Sequence, residues 1–485
     1  MINKKSILLI LTALTLLTPS HAQKKVSVAQ FKPACDTLAS TIKKRSAIRW
    51  VLKLDKVMQR DSLLDFYFTE SLGDYPWCRN DAEWFKDTLK RVLPTKYSNC
   101  HIGEIFSKGT HLDSLITPDL GFDGKPVKNS HIVKKPTGKY VVRRAEGLEC
   151  SEGLDRRHIA LWQSHGRYFD VNTEQWKWQR PCLFQICEDL FTQSYVLKYL
   201  VPMLENAGAY VMLPRERDTQ TNECIADNNE TYSGPGARSV GKYQETGKWE
   251  DAGDGFADKQ ATYLTLENPF TMGTARKVSC ISEKASKGMA KAVWRANIPE
   301  RGQYAVYVSY KTLKESTTAA HYTVHHLGGN TSFIVNQKMG GSTWIYLGTF
   351  EFEKGDSGYV TLDNKTPKGY KFTRGKVITA DAVKFGGGIG NIARGRKLDP
   401  ANDTIPLFAP YTSGMPRSAE GARYWLQWAG APESVYSRND GTHDYKDDYM
   451  CRADWVAWMS GGSVVNPKQE GKGIPFDVSL AFHTD

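Results

Sequence analysis

Three side chains in this sequence are of the types that hold a hydrolytic metal ion: His165, Glu188 and His483. Two imidazoles and a carboxylate fill three corners of a zinc tetrahedron and leave the fourth for water, whose pKa the ion brings towards neutrality. The spacing is not local. Glu188 lies 188 − 165 = 23 positions after His165, and His483 lies 483 − 188 = 295 positions beyond Glu188. Only the folding of separate elements onto one edge can gather them, and a lone histidine is more often structural than a ligand.

The elements that would do so are legible. His158 to Gln163 (HIALWQ) is an apolar run of buried-strand length, and it exits through Ser164-His165-Gly166. Leu190, Ser194, Leu197, Val201 and Leu204 recur at helical spacing behind an acidic start at Glu188-Asp189, with Ala207-Gly208 as the stop. Pro202 is expected to kink the last turn. Ala209 to Leu213 (AYVML) is a second strand. Strand, helix, strand is a βαβ unit and predicts a parallel sheet, whose reactive groups collect at the carboxyl ends of its strands. Phe476 to Phe482 (FDVSLAF) is another strand, and it ends in His483.

This order resembles the zinc-dependent N-acetylmuramoyl-L-alanine amidases of the amidase 3 family. The resemblance is carried by His165-Gly166, Glu188, the run LENAGAYVMLPRERD from Leu204 to Asp218, and VSLAFHTD from Val478 to Asp485. It implies an α/β fold with a doubly wound, mainly parallel sheet. It also implies Zn2+ held by His165, Glu188 and His483, and cleavage of the amide between the muramoyl lactyl group and L-alanine of peptidoglycan. Arg215 and Arg452 are its candidates for substrate binding. There are departures. Trp162-Gln163-Ser164 stand where the family has Asp-Pro-Gly, Ala481 replaces a serine, and Asp189 competes with Glu188 as the acidic ligand. The family's catalytic glutamate lies on a later strand and none follows His483 here, so the centre is expected to be truncated or inactive.

Between the two halves of that pattern the composition changes. Thr219 to Asp258 is polar and reads as loop or linker, and strands with turn residues between them dominate from about Tyr263 to Phe385. This block resembles the golvesin C-terminal-like, xanthan-lyase-type binding domain through Trp294, Gly302-Gln303-Tyr304, Tyr307, Val335-Asn336-Gln337, Leu347-Gly348 and Ala380-Asp381-Ala382-Val383. Tyr310, Tyr322 and Trp344 are candidates to stack on sugar rings, with core packing the more ordinary use of aromatics on strands. His325 and His326 point to opposite faces of a strand, which argues against a metal cluster with His321. Gly386 to Gly390 is glycine-rich without the Lys-Ser/Thr of a phosphate loop and reads as a flexible exit. Asp444, Asp447, Asp448 and Asp454 read as a solvated acidic face.

Residues 1–22 carry Lys4-Lys5, an apolar Ile7 to Leu17 and Ser20-His21-Ala22, the pattern of a secretory signal, so a secreted or periplasmic protein is expected. That apolar run is too short to span a bilayer, and no later one is apolar enough. The formal charge of +11 is spread along the chain without a dense basic tract, which argues against nucleic acid. Residues 23–138 are expected to form a mostly helical region and connector. Its helices are placed over Val28 to Val57 (interrupted at Pro33), Asp61 to Leu72 and Asp81 to Leu93, and Trp77 and Trp84 are candidates for a sugar platform, with core packing the more ordinary use of both. Residues 139–232 and 399–485 form the two parts of the α/β domain, and 233–398 the inserted sandwich. Nine cysteines leave at least one unpaired within the chain, and Cys78 with Cys100 is a candidate bridge.

Two functions follow: a zinc amidase of peptidoglycan, or a non-catalytic protein that binds cell-wall or other envelope polysaccharide. A polysaccharide lyase ranks below both, because His-Glu-His does not supply that chemistry.

Overall fold

The computed structural model describes residues 24–46, 51–116, 139–146, 153–183, 185–395, 409–462 and 468–483. The signal-like segment, the Gly124 to Gly138 connector and Cys150 lie outside them. The chain forms two compact units, Met1–Lys134 with Gly462–Lys468, and Lys135–Gly461 with Gln469–Asp485. No described helix is long and apolar enough to cross a membrane.

The first unit is a mixed α/β body rather than a helical one. Its five-stranded sheet runs Lys24–Val26, Leu54–Arg60, Leu63–Phe68, His101–Ser107, Thr110–His111. The helix expected over Asp61 to Leu72 is a hairpin turn and a strand. Asp61 takes φ +50° at the turn, and buried Leu64, Phe66 and Phe68 then alternate towards the core. Pro33 does not interrupt a helix but lies in the first turn of Lys32–Ser46, where its missing N–H costs nothing. The helix expected from Asp81 is present as Arg79–Arg91. Trp77 is core, while Trp84 is partly buried beneath the Arg45 guanidinium. Cys78 and Cys100 are free thiols, as are all described cysteines.

The second unit contains the three strands that position His165 and His483. Tyr210–Met212 and Val478–Phe482 both pair in parallel with a central His158–Gln163 strand. Ile159, Leu161 and Val211 pack on one face with Val196 and Val201 of the intervening helix. Ala160 and Met212, facing the other way, join the large core that holds Trp455 and Met459. The proline effect is visible. A π-helical turn over Val196–Leu200 separates Glu188–Tyr195 from Val201–Asn206, the helical segment that Pro202 opens.

The rest of the unit is β-rich. A five-stranded sheet runs Ser239–Val240, Cys224–Ala226, Val383–Phe385, Gly302–Val308, Ile345–Phe352. A six-stranded sheet runs Lys242–Thr246, Lys291–Arg295, Tyr359–Asp363, Ala320–His326, Gly329–Val335, Val142–Arg144. The polar stretch expected to be linker therefore holds strands. Cys224–Ala226 is wholly buried, but three apolar residues are too few to read as a strand. The glycine-rich exit is also buried. At Gly386 (φ +90°) a Cβ would fall 2.2 Å from the Asn222 carbonyl oxygen, so the glycines serve close packing. The acidic face is likewise not solvated. Asp444, Asp447 and Asp448 are buried on the Asp444–Ser460 helix. Asp444 bonds Arg394 and Arg423, Asp447 bonds Asn439, and Asp448 bonds Gln179 and Arg452. Only Asp454 stays more open, paired with Arg438 at 3.2 Å.

Candidate metal centre

Parallel pairing brings Phe482 opposite Gln163, so the two strands end side by side. The Ser164 N–H donates to the Phe482 carbonyl at 2.7 Å and ties the exits together. The next residues bring two imidazoles to the same edge, with ring centroids 4.7 Å apart. Glu188 begins the helix at that edge. One ligand atom from each of His165, Glu188 and His483 lies within 4.8 Å of the other two. His483 Nδ1 is 3.3 Å from Glu188 Oε1, and His165 Nδ1 is 3.9 Å from Glu188 Oε2. Donors at about 2.0–2.1 Å from a tetrahedral zinc stand roughly 3.3 Å from one another, so the three groups would have to draw together, by up to about 1.5 Å, to hold the ion.

Both imidazoles are held in the neutral form. Burial pushes His165 down to about 3, reinforced by the positive charges of Arg452 and Arg180 and opposed by Glu188. Burial, then Arg452, lowers His483 as well. Asp189, the competing acid, keeps its Oδ1 3.9 Å from His165 Nδ1, as near as Glu188 Oε2, while its other oxygen is engaged elsewhere. It is fully buried, and its Oδ2 accepts the Cys187 thiol at 3.0 Å and the Arg180 N–H at 3.2 Å.

Ser164 is a participant that residue types alone did not reveal. Its hydroxyl donates to Glu188 Oε1 at 2.8 Å, and its Oγ lies 2.8 Å from His165 Nδ1 and 3.5 Å from His483 Nδ1. It takes φ +46°, a conformation that favours glycine. Its substitution for the glycine of the amidase pattern was the available signal.

The two arginines divide. Arg452 is buried, pairs with Asp448, and lines a cavity of about 340 Å³ together with His165, His483, Trp162, Arg180 and Tyr445. Arg215 is buried too, but it does not reach that cavity. Its guanidinium donates to the carbonyls of Gln163, His165, Ser418 and Glu420, so it braces the backbone at the strand exit. Among the described residues that line the cavity there is no carboxylate.

The three rings expected to stack on sugars are core. Tyr310 is buried with its hydroxyl on the Met339 carbonyl at 2.7 Å, Tyr322 is buried beside Gln337, and Trp344 packs on Phe256 at 4.8 Å between centroids. Tyr322 lies in the Ala320–His326 strand and Tyr310 and Trp344 just beside strands, and all three rings are buried in the core, leaving no ring surface for a ligand. The three histidines form no cluster. His325 stacks on Tyr359, His326 on Phe350, and His321 faces Asp363.

Comparison with known proteins bears on the sandwich. Residues 237–387 match the Golvesin C-terminal domain. A xanthan lyase from Bacillus sp. (strain GL1) is 35% identical over 106 residues, which are 21% of this chain and 11% of the lyase. The chain thus spans about a tenth of that relative's length. Among solved structures, Paenibacillus xanthan lyase aligns over 34% of this chain and 13% of its own, with 22% identity and a TM-score of 0.24. A carbohydrate-binding module from Cellvibrio mixtus lichenase 5A, solved with cellotriose, aligns over 23% of this chain and 86% of its own, with 14% identity and a TM-score of 0.14.

Proposed function

We propose that this protein binds a polysaccharide of the cell envelope, with the golvesin-type sandwich as the binding part. The observation that carries the reading is the 35% identity to a xanthan lyase over 106 residues, together with the domain match at 237–387. Peptidoglycan is the first polymer to test, and the signal-like N-terminus suits export to it. Sedimentation of the full-length protein with purified peptidoglycan and with xanthan tests this. Retention by at least one, lost on competition with soluble fragments of the same polymer, is expected. Absence from both pellets refutes it.

A second reading, a zinc-dependent N-acetylmuramoyl-L-alanine amidase, is favoured by one specific observation: the meeting of His165, Glu188 and His483. Zinc bound there would polarise the scissile carbonyl and supply hydroxide near neutral pH. The chain's own residues would do the rest. His165 and His483 offer neutral nitrogens, Ser164 orients Glu188, and Arg452 and Arg180 place positive charge along the cavity for an anionic group of the substrate. One zinc per chain, lost in His165→Ala and His483→Ala, is the expected stoichiometry. Free stem peptides released from peptidoglycan would establish the reaction, while zinc binding without release would leave a metal-bearing binder.

A further inference from the structure

Cys182 and Cys187 stand in a short hairpin that runs directly into Glu188. Cys182–Leu183 and Ile186–Cys187 are antiparallel, with Leu183 opposite Ile186 and Cys182 opposite Cys187. Two residues lie between the strands, and Gln185, one of them, takes φ +68° as such a turn requires. In a two-residue hairpin the rung beside the turn is the hydrogen-bonded one. The next rung, here the two cysteines, is non-hydrogen-bonded, with Cα atoms about 4.5 Å apart and side chains on one face. That lies within the separation of roughly 4.4–6.8 Å that a disulfide bridges. The two thiols also differ in access, since Cys182 is exposed and Cys187 is buried.

We propose that Cys182 and Cys187 are a thiol–disulfide pair, Cys182 receiving the oxidant and Cys187 resolving it. With a small-molecule disulfide such as oxidised glutathione, the Cys182 sulfur attacks one sulfur of the reagent, forms a mixed disulfide and releases one glutathione thiol. The Cys187 sulfur then attacks Cys182 Sγ and expels the second glutathione. The protein loses two electrons and two thiol hydrogens, and the oxidant becomes two thiols. Closing the bond takes the Cys187 thiol off Asp189 Oδ2, its partner at 3.0 Å, and ties the hairpin one residue ahead of Glu188. The pairing rests on hairpin register alone and is independent of the proposed metal centre.

The test is mass analysis of the full-length protein after exposure to excess oxidised glutathione, then alkylation and digestion. The expected product is the peptide pair containing Cys182 and Cys187, lighter by two hydrogens and unalkylated at both. In Cys187→Ser the same treatment should instead trap glutathione on Cys182. A stable glutathione adduct on Cys182 of the unmodified protein, with Cys187 still alkylatable after unfolding, would overturn the proposal, as would no change at either thiol. Zinc content measured on the same samples keeps the questions apart. A disulfide in a protein that binds no zinc removes the metal centre alone, and zinc binding beside a persistent adduct removes the cysteine pair alone.

Discussion

Ser164 allows the geometry of the centre to be tested by two substitutions at one position. At φ +46° a residue with a Cβ carries roughly 1–2 kcal/mol of backbone strain. Its hydroxyl, 2.8 Å from Glu188 Oε1, makes a hydrogen bond to a charged group worth about 1.5–3 kcal/mol. Ser164→Ala removes the bond and keeps the strain, so unfolding should become easier by about 2 kcal/mol. Ser164→Gly also removes the strain but adds about 0.5–1 kcal/mol of chain entropy to the unfolded state. The glycine variant should therefore be more stable than the alanine variant by about 0.5–1 kcal/mol. Zinc affinity reads out the other role. With Glu188 no longer held, both variants should bind about tenfold more weakly, the lower end of what losing a supporting partner costs. Denaturant titration without metal measures the first effect, and competition with a chromophoric chelator the second. An alanine variant that binds zinc as tightly as the parent, or a glycine variant less stable than the alanine variant, would refute the assignment.

Other perturbations have equally definite signs. Burial lowers His158 to about 4, and its Nε2 accepts the Val141 N–H at 3.2 Å, so the folded chain holds it neutral. Its contribution is intact above the unfolded pKa of about 6.5 and is lost as pH falls towards 4, by about 3 kcal/mol in all. His158→Gln should flatten that part of the stability–pH curve in denaturant melts, and a parallel curve would count against the burial argument. Lys384 and Glu216 form a fully buried pair at 2.8 Å, so Lys384→Met should cost about 3–5 kcal/mol by stranding the carboxylate, and recovery in Lys384→Met/Glu216→Gln would confirm the coupling. Trp344→Ala should cost about 3–5 kcal/mol of stability. A variant that loses polysaccharide binding while melting like the parent would return Trp344 to the surface.

The parts of this architecture that could be read in advance were those where one local signal decided the outcome. The His158–Gln163 strand, the helix opening at Glu188 and the strand ending at Phe482 each carry a local start or stop signal, although the inward face expected of that helix fails in its first half, where Leu190 and Ser194 are exposed. The failures share a different cause. Leu63–Phe68 carries apolar residues whose spacing fits a helix as well as a strand, and only pairing with Leu54–Arg60 and His101–Ser107 settles it. Asp444 and Asp448 look solvated because Arg394 and Arg423, which pair with the first, and Gln179, which bonds the second, come from outside their helix. Arg215 looked like a substrate ligand because nothing local reveals that four carbonyls will converge on it. Long-range partners decide burial for charged residues, and one-dimensional spacing contains no record of them.

The same reasoning explains how His165 and His483, so far apart in sequence, come to one edge. Register is the controlling variable, since a slip of one residue between His158–Gln163 and Val478–Phe482 would turn His483 to the opposite face of the sheet. The structure fixes register at both ends. At the entry, Asp477 accepts the His158 N–H at 2.8 Å and the Arg157 guanidinium at 2.7 Å, and its own N–H donates to the His158 carbonyl at 2.8 Å. At the exit, Ser164 bonds the Phe482 carbonyl. Asp477→Ala removes the entry clamp without touching a ligand. It should weaken zinc binding while leaving the donor set intact, so the spectrum of a bound cobalt ion should keep its shape as affinity falls. A changed spectrum would mean that the strand had slipped.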